Sequence, residues 1–112
     1  MTIDDLKAFG ANTDEGLTRC FGNEGLYRKL VGTVPGDVNF DRLKDAAAVE
    51  DSGAMFEAAH ALKGALGNLS LTPMYDIVSD ICEAARDGSA VSPERIDELF
   101  DLRAKLEAIV NS

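Results

Sequence analysis

The sequence DSGAMFEAAHALKGALGNL, residues 51–69, decides the fold because its apolar residues recur at helical spacing. At about 100° per residue, five apolar side chains fall within roughly 40° of one line: Met55, Ala59, Leu62, Leu66 and Leu69. This seam predicts an amphipathic helix with one side in the core. Asp51 or Ser52 can cap its N-terminus, and it should run to about Leu69.

Two further helices follow, and each should open at a hydroxyl residue that caps its N-terminus and is followed by proline. The pairs are Thr72-Pro73 and Ser92-Pro93, and proline at the first helical position sacrifices no hydrogen bond. The first helix should end at Gly88, a residue suited to the turn after a helix. The second carries apolar residues at spacings of three and four: Ile96, Leu99, Phe100, Leu102, Leu106, Ile109 and Val110.

Shorter helices are predicted upstream, each starting at a residue that can cap it. They run from Thr2 to near Gly10, from Thr13 to near Gly22, from Asn23 to about Val34, and from Asn39 to about Glu50. Short connections make consecutive helices antiparallel. We therefore expect an all-α fold: an up-and-down antiparallel four-helix bundle with additional short N-terminal helices. Residues 1–112 should form a single domain, with the bundle core at about 23–112.

Composition and charge limit the classes of partner. The 112 residues contain 11 Lys and Arg against 20 Asp and Glu, a net charge of -9. Such a surface repels phosphate backbones and anionic membranes, so neither nucleic acid nor membrane is expected as a partner. No apolar run approaches the roughly 20 residues that span a bilayer, and the first residues lack a signal-peptide pattern, which predicts a cytoplasmic protein. Cys20 and Cys82 are expected to be reduced packing residues.

His60, the only histidine, lies roughly 140° from the seam and should project into solvent in mid-helix. A metal site is not expected, because no second His or Cys lies three or four residues away. Acid–base catalysis would need a concave pocket, which a convex helix face does not supply. A neutral imidazole nitrogen can, however, accept a phosphoryl group presented by another protein. Lys63, one turn on, would offset the negative charge.

Three more residues share the outward side of this helix. Gly64 and Gly67 each cost about 1 kcal/mol relative to alanine inside a helix, which makes sense if another chain must approach there. Alternatively, Gly67 marks only the helix end and Gly64 has no role. Phe56 is either half-buried by the curvature of the bundle or exposed as a docking contact, and the sequence leaves both readings open.

Residues 59–67, AHALKGALG, resemble the signature of histidine-containing phosphotransfer (HPt) domains. That signature places a small or apolar residue before the phosphorylated His, then any residue, an aliphatic residue, Lys, Gly and a small residue three further on. The resemblance covers about residues 23–112. One departure is Ser70, since many members carry glycine ten residues after the histidine.

The resemblance implies a role for each matching residue. His60 would be phosphorylated on Nε2, Lys63 would stabilise the phosphoryl group, and Gly64 and Gly67 would leave room for a docking receiver domain, with Phe56 as a further contact. The receiver would bring its own phosphoaspartate and Mg²⁺, so no cofactor or metal of its own is expected. The sequence contains no phosphate-binding loop or kinase-like glycine motif, which favours a phosphoryl carrier over an enzyme with an ATP site.

The expected function is therefore that of a phosphorelay intermediate in two-component signal transduction. Its partners would be response-regulator receiver domains, a hybrid histidine kinase, or both. A monomer is expected, because the phosphoacceptor face must stay accessible. Two alternatives remain open at this point: a non-catalytic helical adaptor that binds a partner through the same helix face, and a phosphoacceptor domain of a larger histidine kinase.

Overall fold

A computed structural model describes all residues, 1–112, and the chain in it is helical throughout. Its elements are α1 (Ile3–Phe9), α2 (Thr13–Arg19), α3 (Glu24–Thr33), a 3-10 turn (Val34–Gly36), α4 (Val38–Ala48), α5 (Ser52–Asn68), α6 (Thr72–Arg86) and α7 (Pro93–Val110). The predicted all-α class is confirmed. None of these helices is both long enough and apolar enough to cross a membrane.

Helices α4 to α7 form the bundle, and α5 lies between α4 and α6. The connections are short, so successive helices reverse direction. The bundle closes where the Phe40 ring of α4 meets the Phe100 ring of α7 edge-to-face, with centroids 6.1 Å apart. The guanidinium of Arg103 covers the Phe40 ring, 4.8 Å from its centroid, and its Nε donates to the Pro35 carbonyl at 2.9 Å. The middle of α7 is thereby tied to the 3-10 turn.

The core is one cluster of buried apolar side chains that all four bundle helices share. It includes the whole predicted seam of α5: Met55, Ala59, Leu62, Leu66 and Leu69. Cys20 and Cys82 are both buried and unpaired, as predicted. Burial of the seam fixes the rotation of α5 about its axis, and this rotation determines which residues reach solvent.

Two helix starts were predicted one or two residues too late. Asn12, not Thr13, caps α2, and its side-chain oxygen accepts a hydrogen bond from the Glu15 N–H. Asp37, not Asn39, caps α4 through the N–H of Asn39. In both places two residues within two positions of each other are of the capping type, and the one with a non-helical backbone acts as the cap.

Of four other predicted caps, two are confirmed and two are wrong. Thr2 caps α1 and Asp51 caps α5, as predicted. Thr72 is the first residue of α6 and gives it no side-chain cap, so its predicted capping role is wrong. Ser92 does precede α7, but its hydroxyl donates to the Glu94 carboxylate at 2.9 Å instead of capping the backbone.

Candidate functional site

His60 is exposed, while its neighbours on the seam side of α5 are buried in the core. Ala59 and Leu62 expose 0% and 1% of their surface, and His60 belongs to the exposed class. The predicted outward orientation is confirmed. It follows from the helical period, because burial of the seam leaves residue 60 on the opposite side.

The imidazole of His60 stacks on the ring of Phe56, one turn earlier. The ring centroids are 5.5 Å apart, and the planes are inclined by 20°. Phe56 itself is half-buried and packs against the core, so the half-burial reading of this residue is the one that the structure supports. Because the stack uses the face of the imidazole, it restrains the ring plane and leaves the nitrogens at the ring edge free of this contact.

Lys63 and Gly64 lie on the following turn, on the same side of α5. Lys63 is half-buried and takes part in none of the five ion pairs of the chain. A Cβ atom added to Gly64 would meet nothing within 4 Å. The surface next to His60 therefore combines an unpaired cation with an unobstructed stretch of helix.

Gly67 has a different environment, although sequence reasoning gave both glycines the same role. A Cβ atom at Gly67 would lie 3.1 and 3.3 Å from Cε2 and Cδ2 of Tyr75. The space in front of this glycine is thus filled by a side chain of α6. Gly67 allows the two helices of the α5–α6 hairpin to pack closely, and only Gly64 faces open space.

A groove of about 510 Å³ runs beside His60, which corrects the expectation of a convex helix face. Lys63, Gly64 and Gly67 line it from α5, and Tyr75 lines it from α6. The opposite wall comes from α2, through Glu15 and Arg19. Sequence reasoning missed this wall, because α2 is far from α5 along the chain and carries no recognisable motif.

Arg19 and Glu15 attach α2 to the turn between α5 and α6. One terminal nitrogen of Arg19 donates to the Gly67 carbonyl at 2.7 Å, and the other lies 3.2 Å from the Glu15 carboxylate. The Ser70 hydroxyl donates to the same carboxylate at 2.8 Å. Ser70 has φ = 54°, the left-handed region that favours glycine. The departure from the family pattern at this position is thus accommodated, because serine adopts the glycine conformation and adds a bond to α2.

The charges that line the groove are two cations, Arg19 and Lys63, and one carboxylate, Glu15. With His60 neutral, the local balance is positive in a chain whose net charge is -9. Since Glu15 pairs with Arg19, Lys63 is the cation of the groove that no carboxylate neutralises, and its charge is available to an anionic group. Nowhere in the chain do three side chains of the metal-binding types come together.

Comparison with known families gives one match. The family model described as Hpt domain matches residues 30–112, which is most of the chain and includes all of α4 to α7. His60, Lys63 and Gly64 lie inside the matched range, whereas Glu15 and Arg19 precede it. No curated protein and no solved structure matches the chain.

Proposed function

Because the chain belongs to the Hpt domain family, whose members carry phosphoryl groups in two-component signalling and have no ATP site of their own, we propose that His60 is its phosphoacceptor. Nε2 of the neutral imidazole attacks the phosphorus of an aspartyl phosphate on a receiver domain. A P–N bond forms, the acyl-phosphate P–O bond breaks, and the aspartate leaves as a carboxylate. The reverse reaction on a second receiver returns the imidazole to its neutral form.

The single observation that carries this proposal is an exposed imidazole beside an unpaired cation and open helix surface. Lys63 has no carboxylate partner, so its charge remains available to the phosphoryl oxygens. Gly64 leaves room for the edge of an incoming domain. Phe56 restrains the imidazole plane by stacking, which reduces the rotational freedom lost when the ring is aligned for in-line attack.

The remaining components would come from the partner. A receiver domain would supply the Mg²⁺ that neutralises charge on the transferred group, so this chain would need no metal. We propose that its partners are receiver domains, free or within a hybrid histidine kinase, and that the chain acts as a monomer. In such a complex the receiver covers the groove and excludes water from the reacting atoms.

The test is phosphoryl uptake from labelled receivers. Purified receiver domains carrying ³²P-aspartyl phosphate are incubated with the protein and Mg²⁺, and the protein is then assayed for a phosphate that is stable in base and labile in acid. His60→Gln is the matched variant, because glutamine is polar and the position is exposed. Its circular dichroism should match that of the wild type.

Labelling of the wild type and its loss in His60→Gln would support the proposal. Labelling that persists in His60→Gln would refute the role of this residue. Receiver binding without any labelling of the wild type would instead favour the adaptor function.

A further inference from the structure

Phe21 is an aromatic residue for which the fold offers no explanation. Its exposed fraction is 94%, the largest of any large apolar side chain in the chain. Its φ is 58°, in the left-handed region. Its N–H donates to the Thr18 carbonyl and that of Gly22 to the Leu17 carbonyl, at 3.1 and 2.7 Å. These paired bonds define a turn in which glycine is the usual residue at the position of Phe21.

Two other non-glycine residues share this backbone conformation, Glu50 and Ser70. Ser70 gains a hydrogen bond to Glu15 from its position. Glu50 is a charged residue on the surface, where it remains solvated. Phe21 combines an unfavourable backbone conformation with an apolar ring left in water, and neither feature stabilises the folded chain. Strain that the fold does not need is typical of functional positions.

Helix α2 is attached to the α5–α6 turn at both ends, and at its C-terminal end Arg19 donates to the Gly67 carbonyl at 2.7 Å. The Asn12 N–H donates to the Ser70 carbonyl at 2.9 Å, and the Tyr27 hydroxyl donates to the Leu69 carbonyl at 2.8 Å. The ring of Tyr27 fills the space in front of Gly16, where a Cβ atom would lie 2.5 to 2.7 Å from three of its atoms. Phe21 therefore follows, by two residues, a helix end that is bonded to the groove beside His60.

Arg19 connects this exposed aromatic to that groove. Arg19 precedes Phe21 by two residues. Its side chain is about half-exposed and lines the groove together with His60. Phenylalanine and arginine are among the residue types enriched at protein interfaces. A receiver presenting an aspartyl phosphate to His60 would bring an anionic end toward Arg19, and its adjoining surface toward Phe21.

We propose that Arg19 and Phe21, at the C-terminal end of α2, form an accessory docking site for the receiver domain that reaches His60. This inference rests on the proposed function and names a second contact of the same partner. Because both residues precede the matched range 30–112, the contact is a feature of this chain beyond the matched bundle. It would let the chain distinguish one receiver from another.

The test compares two donors and two glycine variants. The donors are the receiver domain that labels the wild type fastest and phosphoramidate, a small phosphoryl donor that needs no docking surface. The variants are Phe21→Gly and, as a matched control, Glu50→Gly, which relieves the same left-handed conformation away from the groove. Both should unfold at the wild-type temperature or above it.

Phe21→Gly should lower kcat/KM for transfer from the receiver by about tenfold to a hundredfold, the loss expected for one buried aromatic contact. Its labelling by phosphoramidate should stay at the wild-type rate, and Glu50→Gly should be normal with both donors. Arg19→Gln should also slow transfer from the receiver and weaken its dependence on salt.

Transfer from the receiver at the wild-type rate in Phe21→Gly would overturn the inference. So would an equal loss with both donors, because that would place the defect at His60. Failure of the proposed function would give a different result. Either neither donor would label the wild-type protein, or labelling would persist in His60→Gln.

Discussion

Replacing Gly64 by leucine should leave the bundle at least as stable as the wild type and yet slow phosphoryl transfer. A glycine in a helix interior costs about 1 kcal/mol relative to alanine, and leucine is close to alanine on this scale. A Cβ atom at Gly64 meets nothing within 4 Å and the position is exposed, so the side chain can extend into solvent and the gain should be retained. At roughly 2.1 cal/mol/K per residue, about 1 kcal/mol corresponds to a rise in Tm of about 4 °C for a chain of this length.

Gly67 provides the comparison within the same helix. A Cβ atom there would lie 3.1 Å from the Tyr75 ring, so the ring must move by a few tenths of an ångström. Part of the gain in helix propensity is then lost. We expect Gly67→Ala to raise Tm by less than Gly64→Ala does.

Thermal unfolding followed by circular dichroism measures the stability of each variant, and single-turnover transfer from a labelled receiver measures function. Gly64→Leu should transfer at least tenfold more slowly, because its side chain would stand where the receiver approaches. A lower Tm for Gly64→Leu would show that the surface at this position is not open. An unchanged transfer rate would show that the open surface is not used.

Two further predictions concern the attachment of the N-terminal helices to the α5–α6 turn. Ser70→Ala removes the 2.8 Å bond to Glu15 and should lower the free energy of unfolding by about 1 kcal/mol in urea denaturation; a change within error would show that this bond does not stabilise the fold. Tyr27→Phe removes the buried bond to the Leu69 carbonyl and should cost about 1 to 3 kcal/mol. Burial raises the pKa of Tyr27 above the ordinary value of 10.0, and Cys20 adds to this. Folding therefore favours the neutral phenol, and this stabilisation is complete below pH 10.0 and is lost as the pH rises through the folded-state pKa. The loss of folding stability at alkaline pH should be smaller in Tyr27→Phe than in the wild type. An equal dependence of stability on pH in the two proteins would contradict this prediction.

The rotation of α5 and the exposure of His60 could be predicted from sequence because both depend on a local period. Once Leu62 and Leu66 are assigned to the core, the direction of residue 60 follows without knowledge of the other helices. The HPt-like motif lies within nine consecutive residues. No long-range contact was needed to recognise it.

The groove could not be predicted, because its second wall depends on tertiary packing. Arg19 reaches the carbonyl of Gly67 across 48 positions of sequence, and no local pattern encodes such a contact. The role of Gly67 was missed for the same reason, since it depends on where Tyr75 of the neighbouring helix falls. The caps at Asn12 and Asp37 were missed for a smaller reason, namely that Thr13 and Asn39, one and two residues later, are also of the capping type.

If His60 is the phosphoacceptor, the phosphoryl group resides on its exposed imidazole, and locating this phosphate in the labelled protein is the decisive measurement. The protein is labelled by a phosphorylated receiver, kept at neutral to alkaline pH, digested, and analysed by tandem mass spectrometry, with ³¹P NMR on the intact protein. One phosphate is expected, on His60, with the chemical shift of an Nε2-linked phosphohistidine. A phosphate on another residue, or on Nδ1 of His60, would contradict this assignment. So would a receiver that binds the protein but retains its own phosphoryl group.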